Sequence, residues 1–165
     1  MIVPAQVVDP KSGQLIQDPI RDSGAMAFPI LDETPFLHAL NRRIAAASRS
    51  RPEQGEPMQV LAYRHGQQYR LHSDAIPGAN NQRIQTVLVY LSDDFEGGAT
   101  HFPHNDLSVQ PVRGDAICFS NVSTDMRPVI TARHAGLPVT AGTKYVLSRW
   151  IRQAPLDLLR PTLGQ

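Results

Sequence analysis

The chain has 165 residues, 16 Lys plus Arg against 15 Asp plus Glu, a net charge of +1 and one cysteine. That length suits a single domain with a real core, and one cysteine excludes a disulfide within the chain. The balanced charge gives no sign of a nucleic-acid partner, and no apolar window is long enough to span a membrane. The opening Met1-Ile2-Val3-Pro4-Ala5-Gln6 lacks the basic start and apolar run of a signal peptide. With the lone Cys118, these features predict a reducing, cytoplasmic setting.

Fourteen prolines and eleven glycines divide the chain into short β-branched and aromatic runs, the pattern of a mainly β core. In chain order the first well-marked element is a helix. Thr34 can cap it and Pro35 fits its first turn. Phe36, Leu37, Leu40, Ile44 and Ala47 then recur at helical spacing, which predicts that this face packs on a sheet. Residues 49–57 form a polar loop. Strands are predicted from Met58 to Tyr63, Arg83 to Leu91, Asp115 to Phe119 and Thr143 to Ile151. Gly97-Gly98 reads as a tight turn feeding a Thr100-His101-Phe102 strand. Cys118, within Ala116-Ile117-Cys118-Phe119, reads as a buried core thiol. Residues 1–165 are taken as one domain, with a tail from Pro155 whose Leu156, Leu158 and Leu159 are expected to pack on the domain or a partner. Short strands with one or two covering helices fit a double-stranded β-helix, the jelly roll.

His72-Ser73-Asp74, with His134 and Lys144 later in the chain, carries the chemistry. Two imidazoles and one carboxylate can occupy one face of an octahedral Fe(II) and leave the opposite face open to a co-substrate and O₂. On an extended strand, residues i and i+2 point to one side, so His72 and Asp74 are expected on a single strand. His134 must arrive from a distant one. Lys144, Val146, Ser148 and Trp150 alternate onto one face of their strand. A lysine heading such a buried, largely apolar face needs an anion, whereas an ordinary strand-end lysine reaches solvent. His101 and His104 lack an ordered context and read as loop histidines.

The surrounding residues form a longer pattern. Tyr63, Gly66, Tyr69, His72 and Asp74 make Y-x-x-G-x-x-Y-x-x-H-x-D. Gln82-Arg83-Ile84-Gln85-Thr86, Gly97-Gly98-Ala99-Thr100-His101-Phe102-Pro103, Pro111-Val112-Arg113-Gly114-Asp115-Ala116, His134-Ala135-Gly136-Leu137-Pro138-Val139 and Gly142-Thr143-Lys144-Tyr145 follow in order, with Trp150 last. Over Asp9 to Gln153 this series resembles the catalytic domain of the prolyl 4-hydroxylase alpha-subunit family, within the 2-oxoglutarate- and Fe(II)-dependent dioxygenases. The resemblance implies His72, Asp74 and His134 as iron ligands. It implies Lys144 as the anchor of the distal carboxylate of 2-oxoglutarate, with Tyr63 and Thr86 bonding the same group. Tyr69, Arg83 and Trp150 match positions that line the family's peptide channel. Asp74, where halogenating relatives have a small residue, argues for hydroxylation. The family usually has Glu at the position of Ala99, so one polar contact is lost here.

The implied reaction consumes 2-oxoglutarate and O₂, releases succinate and CO₂, and hydroxylates an unactivated C–H, with ascorbate rescuing oxidised iron. Proline in a peptide or protein is the expected substrate. A free amino acid or other small molecule is the alternative, favoured by the short loop from Ala75 to Asn81. A non-catalytic jelly-roll module that kept its metal site is a third reading. The helix-rich segment that precedes the family's first strand is short in this chain. Either the domain is a short version or part of it lies outside this sequence.

Overall fold

The computed structural model describes residues 2–8, 15–17, 20–29 and 32–156. It is mainly β. The strands are β1 (Val3–Pro4), β2 (Val7–Val8), β3 (Leu15–Ile16), β4 (Gly24–Phe28), β5 (Met58–Arg64), β6 (Tyr69–His72), β7 (Arg83–Tyr90), β8 (Glu96–Gly97), β9 (Thr100–Phe102), β10 (Leu107–Val109), β11 (Ala116–Ser120), β12 (His134–Gly136), β13 (Val139–Ala141) and β14 (Thr143–Arg152). Helix α1 (Pro35–Ala47) lies between β4 and β5. A six-stranded sheet runs β1-β4-β5-β14-β7-β11, and a four-stranded sheet runs β10-β9-β12-β6. Every ladder is antiparallel. This is the double-stranded β-helix expected from the strand pattern.

Side-chain alternation sorts the large sheet into two faces. Val87 and Leu147 point to one side and pack with Leu37, Ile44 and Met58 beneath α1. Tyr90 and Val146, one position out of phase, point to the other side and pack with Leu61, Tyr63 and Val139. The second cluster lies toward the small sheet, so the functional side chains emerge into the space between the sheets.

Helix α1 begins as expected, with Thr34 Oγ1 accepting from the Leu37 amide and Pro35 in its first turn. Its buried stripe differs from the expectation. Leu37, Asn41, Ile44 and Ala45 face the sheet, whereas Phe36 is 74% exposed and Ala47 is exposed. The reason is Arg149, buried on the helix side of β14, whose Nη2 donates to Asn41 Oδ1 at 2.6 Å. The helix turns its polar Asn41 toward that guanidinium, and Phe36 rotates outward.

Cys118 is exposed and is not a core thiol. It sits on β11, the edge strand of the large sheet, and α1 packs over β14 and β7 rather than β11. His101 lies within β9, opposite Ser108, rather than in a loop; His104 is in the short turn Pro103–Asn105. In the tail, the Leu156 amide donates to the Glu53 carbonyl at 2.9 Å. Leu158 and Leu159 fall outside the described residues.

Candidate active site

Strands β6 and β12 place His72 directly opposite His134, with ring centroids 4.3 Å apart. Asp74 does not continue the strand as expected. Strand β6 ends at His72, and Asp74 lies in the bend beyond it. Its carboxylate returns to the histidines because Thr86 on β7 donates from Oγ1 to Asp74 Oδ2 at 2.6 Å. His72 Nε2 is then 3.5 Å from Asp74 Oδ1 and His134 Nε2 is 3.9 Å from Oδ2. One donor atom from each of the three residues lies within 4.8 Å of the others.

The tautomers follow from the backbone. His72 Nδ1 is 2.7 Å from the Arg70 carbonyl and His134 Nδ1 is 3.0 Å from the Ala132 carbonyl. A carbonyl only accepts, so each Nδ1 holds the proton and each Nε2 presents a lone pair. Burial lowers the His134 pKa from 6.5 to about 4, assisted by the neighbouring His72, so its ring is neutral at pH 7. Burial opposes ionisation of Asp74, but the adjacent His72 and His134 hold it well below the usual carboxylate range. Two imidazoles and one carboxylate, all buried, form the donor set that suits Fe(II) with open coordination positions.

The His72, Asp74 and His134 side chains open into a cleft between the sheets. Lys144 lines it from β14, its Nζ donating to the Gly98 carbonyl at 2.7 Å. No carboxylate pairs with it among the described residues. Burial lowers the amine to about 8. The Tyr63 and Tyr90 rings lie 5.8 Å and 5.5 Å from it. Gly98 has φ +63, and a Cβ there would sit 3.2 Å from Lys144 Cδ, so glycine lets the lysine pass.

Tyr63 lines this cleft, but Thr86 does not. The Thr86 hydroxyl is fully buried and committed to Asp74. The threonine that shares the cleft with Lys144 is Thr100 on β9, whose Oγ1 accepts from Tyr90 Oη at 2.9 Å. The Thr100-His101-Phe102 alternation carried that signal, because Thr100 and Phe102 are buried while His101 is not.

Tyr69 and Trp150 both line the cleft. Tyr69 stacks on the His72 ring, with centroids 3.4 Å apart and planes at 14°. Arg83 is placed differently from expectation. It stands behind Trp150, 4.1 Å from the ring centre, and its Nε and Nη2 donate to the two oxygens of Glu56. Its charge is used within the protein and it does not line the cleft. Sequence reasoning missed Arg21, which bridges to Tyr69 from the segment before β4. Arg21 is buried and lines the cleft, with its guanidinium 4.8 Å from the Tyr69 ring and 5.9 Å from Trp150. Its Nη1 donates to the Gln6 carbonyl, whereas Nε and Nη2 have no hydrogen-bond partner among the described residues. Nothing in the spacing around Ile20-Arg21-Asp22 marks it.

The sequence model of the 2OG-Fe(II) oxygenase superfamily matches residues 58–152, the stretch that contains all three ligands and Lys144. The chain belongs to this superfamily. Within it, the chain is 34% identical to prolyl 4-hydroxylase 1 of Arabidopsis thaliana over 89% of its own length and 59% of the relative's. It is 33% identical to prolyl 4-hydroxylase subunit alpha-1 of Rattus norvegicus, over 95% of this chain and 31% of that one. The chain therefore spans a little over half the length of the plant relative and about a third of the rat one. A viral collagen prolyl hydroxylase from Paramecium Bursaria Chlorella virus-1, solved as a 2OG complex, superposes with TM-score 0.71 and 28% identity, covering 89% of this chain and 83% of that one. The resemblance to the prolyl 4-hydroxylase family is borne out.

Proposed function

We propose that this oxygenase is an Fe(II)- and 2-oxoglutarate-dependent hydroxylase that acts on C4 of proline within a peptide. The reading rests on one observation: the His72–Asp74–His134 cluster and the carboxylate-free Lys144 open into the same cleft. His72, Asp74 and His134 would hold the iron. When bound, iron and 2-oxoglutarate supply the oxidising chemistry that consumes O₂, releases succinate and CO₂, and leaves one oxygen atom on the substrate carbon.

The protein's part is orientation and exclusion of water. Lys144 Nζ binds the distal carboxylate of 2-oxoglutarate, and the Tyr63 and Thr100 hydroxyls line the same end. The Tyr69 ring, stacked on His72, and the Trp150 indole form the walls against which a proline ring packs. Trp150 Nε1 and two nitrogens of Arg21 are buried without acceptors among the described residues. A peptide backbone brings carbonyls that satisfy such donors, which favours a peptide over a purely apolar substrate. The names of the plant, rat and viral relatives support proline as the target residue. Ascorbate sustains turnover by restoring oxidised iron.

The test is incubation with Fe(II), 2-oxoglutarate, ascorbate and a proline-rich peptide library, read as a mass gain of one oxygen and as succinate release. Peptide hydroxylation with matching succinate is expected. Hydroxylation of free amino acids alone would replace the peptide reading with a small-molecule one. Absence of succinate under all conditions would leave a metal-binding module without turnover.

A further inference from the structure

We infer that Asn121 and Thr86 form a positioning relay that fixes the carboxylate of Asp74 for metal binding. The inference rests on the reading of His72, Asp74 and His134 as the metal ligands. Asp74 lies beyond the end of β6, so no strand ladder sets the direction of its side chain. Asn121 Nδ2 donates to Thr86 Oγ1 at 2.9 Å, and Thr86 Oγ1 has Asp74 Oδ2 at 2.6 Å and Asn121 Oδ1 at 3.3 Å. A hydroxyl has one proton to give. With Asn121 donating to its oxygen, that proton goes to the closer, charged acceptor. The relay therefore runs Asn121 to Thr86 to Asp74. It occupies Oδ2 and leaves Oδ1 directed at His72 Nε2.

Burial makes the relay hard to replace. Thr86 is 0% and Asn121 1% exposed, so water cannot stand in for either group. Asn121 is itself fixed by its backbone. Its amide donates to the Ile84 carbonyl at 2.8 Å and its carbonyl accepts from the Val129 amide at 2.9 Å. Val129 leads into the turn Ile130–Ala132, whose last carbonyl accepts from His134 Nδ1. One residue thus braces the segment that orients His134 and, through Thr86, the carboxylate opposite it.

The experiment uses the full chain stripped of metal and titrated with Co(II), reading affinity and the visible ligand-field spectrum. Melting temperature of the metal-free protein reports folding. Thr86→Val keeps the shape and removes the hydroxyl; it is expected to weaken Co(II) binding about 10–100-fold and to alter the spectrum. Thr86→Ser should restore both. Asn121→Ala should weaken binding by a smaller factor, and the double variant should bind no more weakly than Thr86→Val, because the two act through one carboxylate. Wild-type affinity and spectrum in Thr86→Val overturn the relay. So does a loss in Thr86→Ser equal to that in Thr86→Val, which would assign the effect to packing. If Thr86→Val does not fold, Asn121→Ala decides: unchanged affinity removes Asn121 from the relay. Failure of the wild-type protein to take up Co(II) overturns the metal assignment itself, and the relay with it.

Discussion

Among the described residues, the charged end of the buried Lys144 meets a carbonyl and two aromatic rings. Burial lowers its pKa from 10.5 to about 8. A lowered lysine pKa means that the charged form is disfavoured in the fold. Its cost to stability is fully present below pH 8 and is relieved as pH rises from 8 toward 10.5. A bound carboxylate favours the charged form, so 2-oxoglutarate binding above pH 8 must take up a proton. Affinity is therefore expected to be level below pH 8 and to fall with each further pH unit, as measured by calorimetry on a metal-loaded, oxygen-free sample. Lys144→Ala should weaken 2-oxoglutarate about ten- to a hundredfold, the equivalent of about 1.5–3 kcal/mol, and leave Co(II) affinity near wild type. Equal affinity in the variant would pass the anchoring role to another group, with Arg21 the first to examine. At the ligands, His134→Ala should abolish metal uptake while the metal-free protein still folds, at a lowered melting temperature because the buried ring packs on Phe102 and Phe119. Full Co(II) binding by that variant would remove His134 from the site.

At the scale of elements, α1 and β14 meet through a polar contact. Arg149 is 1% exposed and donates to Asn41 Oδ1, to the Pro52 carbonyl and to the Glu56 carbonyl. No carboxylate pairs with it among the described residues. Removing one acceptor leaves a buried donor of a charged group unsatisfied. Asn41→Leu is expected to cost about 1–3 kcal/mol in urea unfolding, although it makes the helix face more apolar. Phe36→Ser, on the exposed side of the same helix, should stay within about 0.5 kcal/mol of wild type. A reversal of those two effects would mean that the helix faces the sheet in the other rotation, the one its apolar spacing first suggested.

At the scale of the whole molecule, the cleft exists because two sheets face each other and contribute different chemistry. The small sheet supplies His72, Tyr69, Thr100 and His134; the large sheet supplies Tyr63, Lys144, Ser148 and Trp150. Under the proposed function, Tyr69 and Trp150 belong to the prime-substrate side. Tyr69→Ala and Trp150→Ala should each lower peptide hydroxylation at least about tenfold, while peptide-independent conversion of 2-oxoglutarate to succinate persists at its slow rate. Succinate release with and without peptide separates the two. Equal loss of both activities at an unchanged melting temperature would assign these rings to the iron or the co-substrate. Tyr69 is the more exposed to that outcome, because its ring also packs on His72.

The sequence by itself determined the repeating elements and several polar groups that share one cleft. Period-two spacing put Lys144, Val146, Ser148 and Trp150 on the cleft side of β14, because strand geometry leaves only two directions for a side chain. The ordered motifs around His72, Asp74 and His134 singled out three residues that the fold brings into one cluster. Tertiary structure decided what spacing cannot carry. Asp74 joins His72 and His134 through a bend and a hydroxyl on another strand, so the H-x-D residues come together by a different geometry from the one their spacing suggested. Thr86 and Thr100 both alternate inward. Only the pairing of sheets shows that one grips the Asp74 carboxylate and the other shares the cleft with Lys144. Cys118 has the neighbours of a core residue but lies on an edge strand that no helix covers, and Phe36 lost the buried face to Asn41 because a cation waited beneath it. Arg21 has no local signature at all. It enters the site by pairing with Tyr69 across a long stretch of chain, and such contacts are set by the fold's topology rather than by the residues beside them.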